Sequence, residues 1–166
     1  ITVSRKSTFA VWTAVAISLS AFLLFVVEPL VAKRILPWFG GSAAVWSTCL
    51  VFYQTALLAG YLYARMVTRY LTPRAQAGLH IAILLGALAL LPIGPSDHWK
   101  FMASSEPAWQ ILYMLTATIG LPFVALSATS PLLQSWLSRR GDEAPYWLFA
   151  VSNFFSLVAL LAYPLA

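Results

Sequence analysis

Charge is what this chain has least of. Only 9% of its residues are Asp, Glu, Lys or Arg, and just five are acidic, where an ordinary soluble domain has about a quarter charged. So few charges cannot cover a water-facing surface, which excludes a soluble globular fold. Cysteine occurs once, at Cys49, so no internal disulfide can form, and metal sites normally need several Cys or His at short spacing. The chain lacks GxGxxG, a Walker phosphate loop, HExxH and GxSxG, the short signatures of dinucleotide, phosphate, zinc-protease and serine-hydrolase chemistry. Paired carboxylates within one apolar run are missing as well. The expectation is therefore a chain that is not itself an enzyme, with no cofactor and no metal.

What the chain has is apolar length. Hydrophobic residues make up 61% of the 166, and the mean hydropathy is +0.82. Because a helix rises 1.5 Å per residue, about 20 apolar residues cross a hydrocarbon core of about 30 Å. Five segments reach or approach that length, at about 9–32, 43–64, 77–93, 108–136 and 146–166. Eight glycines and ten prolines sit mostly between these segments or at their borders, where breaks between helices belong. The first segment follows Arg5 and Lys6 as a signal peptide would, but it is too long for a signal h-region and carries no small-x-small cleavage site. An all-α, polytopic transmembrane bundle of about five spans follows, forming one domain over 1–166. Its solvent and first partner is the lipid bilayer. The net charge of +5 sits at the flanks of these segments, where headgroups explain it and nucleic acid does not.

Orientation follows from the basic residues in short loops. With the N-terminus cytoplasmic, the inner side carries Arg5, Lys6, Arg65, Arg69, Arg74, Arg139 and Arg140, against Lys33, Arg34 and Lys100 outside. Seven against three favours N-in. The fourth segment contains Pro122 and Pro131, each lacking a backbone donor, so a kink is expected near Leu121 or Ser130, with Thr129 and Ser130 able to serve the freed carbonyls. Short connections, of roughly 8–14 residues, predict antiparallel packing. Residues such as Gly60 with Ala64, Gly86 with Ala89 or Leu90, and Ser152 with Ser156 offer close helix approach.

Of the five acids, Asp97, Glu106, Asp142 and Glu143 fall in loops and only Glu28 lies inside a span. Two readings compete for it. Either it pairs with Lys33, Arg34 or a donor on another helix while Pro29 bends the chain outward, or it lines a polar path with Asn153 and receives a cation. Asn153, Gln134, Gln54, Ser152 and Thr129 read as interhelical hydrogen-bonding groups. His80, without partners at ligand spacing, reads as a bonded side chain and not a metal ligand. The seven tryptophans gather near segment ends as an interfacial belt.

The stretch EPLVAKRILPWFGGSAAVWSTCLVFYQTALLAGYLYA, residues 28–64, resembles the membrane domain of bacterial fused major-facilitator-like/spermidine synthase proteins. The similarity continues through LTPRAQAGLHIA at 71–82, GLPFVALSATSPLLQSW at 120–136 and PYWLFAVSNFFSLVALLAYP at 145–164. This resemblance implies a helical bundle related to a transporter half, in a bacterial cytoplasmic membrane, preceding a soluble aminopropyltransferase-like domain. The glycine-rich nucleoside-binding turn of such a domain is not in this sequence, so no catalytic residue carries over, and the chain is expected to be part of a longer product. Two functions are in play. One is a non-catalytic module that packs with other membrane subunits or anchors a soluble domain. The alternative is a transporter-like half-module for a cationic small molecule such as a polyamine.

Overall fold

The computed structural model describes residues 2–91, 95, 99, 107–139 and 146–165, with only the backbone described for 2–7. Asp97, Lys100, Glu106, Arg140, Asp142, Glu143 and Ala166, and the side chains of Arg5 and Lys6, lie outside the described residues. Among the described residues every regular element is helical: α1 (Thr2–Ile35), α2 (Ala43–Tyr70), α3 (Pro73–Ala89), α4 (Pro107–Leu115), α5 (Leu121–Ser138) and α6 (Tyr146–Ala162). A π turn, Thr116–Gly120, joins α4 to α5 without a break. Four stretches are long and apolar enough to cross a membrane: Thr8–Phe39, Ala43–Tyr70, Pro107–Ser138 and Tyr146–Leu165. The protein is an all-α membrane bundle.

Local chemistry sets the helix ends. Ser42 accepts from Val45 N at 3.4 Å and Thr72 from Ala75 N at 3.5 Å, each taking up an otherwise unpaired first-turn donor. Pro73 follows Thr72 at the first helical position, where its missing N–H leaves no bond unmade. This pair starts α3 four residues before the apolar run does, leaving only Leu71 and Thr72 between α2 and α3, far fewer than the loop length expected. With 17 residues, α3 is about 25 Å long, and it is not one of the four membrane-length helices. Gly40 and Gly41, at φ 86° and 62°, close the turn after α1 in a left-handed conformation that favours glycine.

Proline acts differently in the two places where a bend is expected. Helix α1 runs on through Pro29 to Ile35, so Pro29 does not end it. Ahead of Pro122 the chain widens into the π turn, which accommodates the missing donor. The hydroxyls of Thr116 and Thr118 reach back to Leu112 O and Met114 O, both at 2.7 Å. Thr129 and Ser130 do not serve the carbonyls freed by proline: Thr129 donates to Ala125 O at 2.9 Å, and Ser130 accepts from Gln134 at 2.9 Å.

Packing is centred on α5, which meets α1, α2 and α3, while α6 packs on α1. The order across the bundle is thus α6, α1, α5, α2, with α4 also against α2. A core of Tyr53, Phe123, Ile111, Met114 and Ile119 fills the α2, α4 and α5 junction. A smaller cluster of Ile17, Leu137 and Leu148 joins α1, α5 and α6. Gly60 lets α2 and α5 touch: a Cβ there would overlap Ser127 Oγ and lie 2.9 Å from Val124 O. Gly86 plays no such part, since the nearest atom to a Cβ there is Leu121 Cδ2 at 3.8 Å.

Candidate functional site

Two polar regions stand out in this apolar bundle. The first is a seam near the α2–α3 turn. Gln76, fully buried, donates to Leu71 O at 2.8 Å and accepts from Trp136 Nε1 at 2.6 Å. Arg139 donates to Thr68 O at 2.8 Å. Because the Thr129 hydroxyl proton is used on Ala125 O, the His80 contact at 3.1 Å is His80 Nε2–H donating to Thr129 Oγ1. His80 Nδ1 and the hydroxyl of Tyr63, whose ring stacks on His80, have no partner among the described residues. These contacts tie α2, α3 and α5 together, so His80 is a bonded core side chain. Trp136 is turned into the protein, whereas Trp12, Trp109 and Trp147 are exposed.

The second region is a cavity of about 730 Å³ between α1, α2, α5 and α6. Its floor is α1 and α5, where Ser20, Ala21, Leu24 and Ser127 are buried. Its rims are α2, at Tyr61, and α6, at Phe149, Asn153 and Leu157, all exposed. Since α2 and α6 stand at opposite ends of the packing order, the opening lies between them. Ser130, Gln134, Ser135, Ser152 and Ser156 add hydroxyls and amides to a lining that is otherwise mostly apolar. Among the described residues, no Asp, Glu, Lys, Arg or His lines it.

The residues singled out from sequence are not brought together. Asn153 lines the cavity, near the middle of α6. Glu28 does not; it is half-buried on α1, and Tyr53 Oη donates to its backbone carbonyl at 3.1 Å. With α1 continuing to Ile35, Glu28 lies about 10 Å along the axis from the helix end. No ion pair joins Glu28 to Lys33 or Arg34 among the described residues. Lys33 is exposed and its Nζ stands 5.8 Å from the ring centre of Tyr163, within cation–π range. Sequence reasoning missed Ser20, Tyr61, Ser127, Ser130 and Ser135. The signal was present: Ser127, Ser130 and Gln134 on α5, and Ser152, Asn153 and Ser156 on α6, repeat at three- and four-residue spacing and so share a face. No group of three or more potential metal ligands occurs among the described residues.

No family model, curated protein or solved structure matches the chain.

Proposed function

We propose that the chain is a non-catalytic membrane module, an accessory subunit or anchor within a larger assembly in a bacterial cytoplasmic membrane. The observation that carries this reading is the open side of the bundle. Helices α2 and α6 form its two ends and leave the polar floor on α1 and α5 uncovered between them. Asn153 sits mid-span on the exposed rim, and its amide has no hydrogen bond among the described residues. In a hydrocarbon environment an amide gains about 0.6–2 kcal/mol from an interhelical bond, so a second membrane segment over this rim is the natural complement. The sequence resemblance to a membrane domain that precedes a soluble one supports the same reading.

Site-directed photo-crosslinking tests it, with the full native gene product in its own membrane. Crosslinkers at Tyr61 and Leu160, one on each rim, are expected to capture another polypeptide or a further segment of the same product. Adducts with lipid alone from both rims would overturn the assembly reading. The cationic-transport alternative draws less support, because Glu28 stands apart from the cavity.

A further inference from the structure

We propose that the cavity between α1, α2, α5 and α6 binds one uncharged amphiphile that carries hydroxyl or amide groups and enters from the bilayer between α2 and α6. The binding does not depend on a partner protein, so it stands or falls separately from the assembly reading.

Size comes first. A volume of about 730 Å³ falls within the roughly 300–1,000 Å³ of sites for drug-sized ligands. A spanning helix, about 10 Å across and about 30 Å long, occupies roughly 2,000 Å³ or more. A neighbouring helix would therefore cap the cavity without filling it.

Hydrogen-bonding capacity comes next. Part of the lining is already committed: Ser127 Oγ donates to Val124 O at 3.0 Å, Ser156 Oγ to Ser152 O at 3.0 Å, and Gln134 Nε2 to Ser130 Oγ at 2.9 Å. Unbonded among the described residues are the Asn153 amide, Gln134 Oε1 and the hydroxyls of Ser20, Tyr61, Ser135 and Ser152. Ser20 is only 7% exposed, a buried polar group facing space and not a protein partner. Donors and acceptors are thus both on offer, from four helices.

Charge and apolar contact define the rest. With no charged side chain among the described residues of the lining, an ammonium or carboxylate there would be stripped of water and given no counter-charge. Polyamines and fatty-acid anions are thereby disfavoured. Leu24, Phe25, Leu57, Leu126 and Phe149 provide the apolar wall for a hydrocarbon body. A neutral lipid of the monoacylglycerol kind has both parts.

The test uses the full native product in nanodiscs and a monoacylglycerol bearing a diazirine. Labelling is expected to map to residues on α5 and α6 around Gln134 and Asn153, and to be displaced by monooleoylglycerol but not by oleylamine or oleate at the same concentration. Asn153→Leu with Gln134→Leu is expected to weaken labelling by about fivefold or more, through the loss of two hydrogen-bonding partners. Leu157→Trp, which blocks the mouth from an exposed position, reaches the same outcome without disturbing the floor. Leu161→Ala, exposed and outside the lining, leaves labelling unchanged. Displacement by oleylamine as effective as by monooleoylglycerol, labelling spread evenly around the bundle, or full labelling in Leu157→Trp would each overturn the proposal.

Discussion

Gly60→Ala probes the tightest contact in the bundle. A Cβ at this position would overlap Ser127 Oγ, stand 2.9 Å from Val124 O and 3.0 Å from Ser127 Cβ. The hydroxyl can turn aside only by giving up its bond to Val124 O. The carbonyl and the Cβ belong to the backbone framework of α5 and move only if the helices part. Overpacking of this kind costs about 1–3 kcal/mol, and the rigid neighbours place Gly60 toward the upper end. Replacing a helical glycine returns about 1 kcal/mol of propensity, for a net loss of about 2 kcal/mol. In a Ser127→Ala background one of the three clashes is gone and the loss falls to about 1 kcal/mol, a coupling of the size seen between touching residues. Reversible unfolding of the detergent-solubilised protein, followed by tryptophan fluorescence for the wild type, both single variants and the double, measures this cycle. Gly78→Ala is the control: nothing lies within 4 Å of a Cβ there, so it should stabilise by up to about 1 kcal/mol. Wild-type stability in Gly60→Ala, or the same loss with and without the Ser127 hydroxyl, refutes the close-approach argument.

Trp136→Phe leaves the buried Gln76 Oε1 without its donor and should lower stability by about 1–3 kcal/mol in the same unfolding assay; a neutral result would mean that the seam does not hold α3. Tyr53→Phe removes the bond to the Glu28 carbonyl and should lose about 0.5–1.5 kcal/mol, whereas Glu28→Gln, which breaks no ion pair among the described residues, should stay within about 0.5 kcal/mol of wild type. A loss above that in Glu28→Gln would show that the carboxylate has a charged partner after all. Orientation is open to cysteine labelling in a Cys49→Ala background: with the N-terminus inside, a cysteine at Gly41 reacts with an impermeant maleimide in intact cells, and one at Arg69 reacts only after permeabilisation. The reverse pattern would overturn the reading of the basic loops.

The helices were legible because lipid imposes a length, and length is countable along a sequence. Their ends were less so. Expected limits at Ala32 and Ala64 gave way to Ile35 and Tyr70, since a helix does not stop where hydropathy falls: Lys33, Arg34, Arg65 and Arg69 all continue it. The start of α3 was available in Thr72-Pro73, a capping pair that outweighed the apolar count. A disturbance before Pro122 was foreseeable from the ring and the missing donor, but its form, a π turn that carries the helix on without a break, was not.

The cavity was hidden for a different reason. Polar spacing along α5 and α6 says which residues share a face, but whether two such faces meet depends on the packing order, and nothing local fixes that order. A carboxylate within a span draws attention by its cost alone, which is why Glu28 was the foremost candidate. In the folded bundle the carboxylate stands apart, and the concentrated polarity is neutral: serines that cost little individually and become a site only when α1 and α5 present them to the same space. Neutral lining also carries a functional consequence that charge counting misses. In a medium where an unpaired ion is prohibitive and an unpaired amide merely unfavourable, a cavity furnished with hydroxyls and amides can stand open to acyl chains between occupancies, which a charged one could not. The same residues that made the cavity inconspicuous in the sequence are those that leave its described lining uncharged.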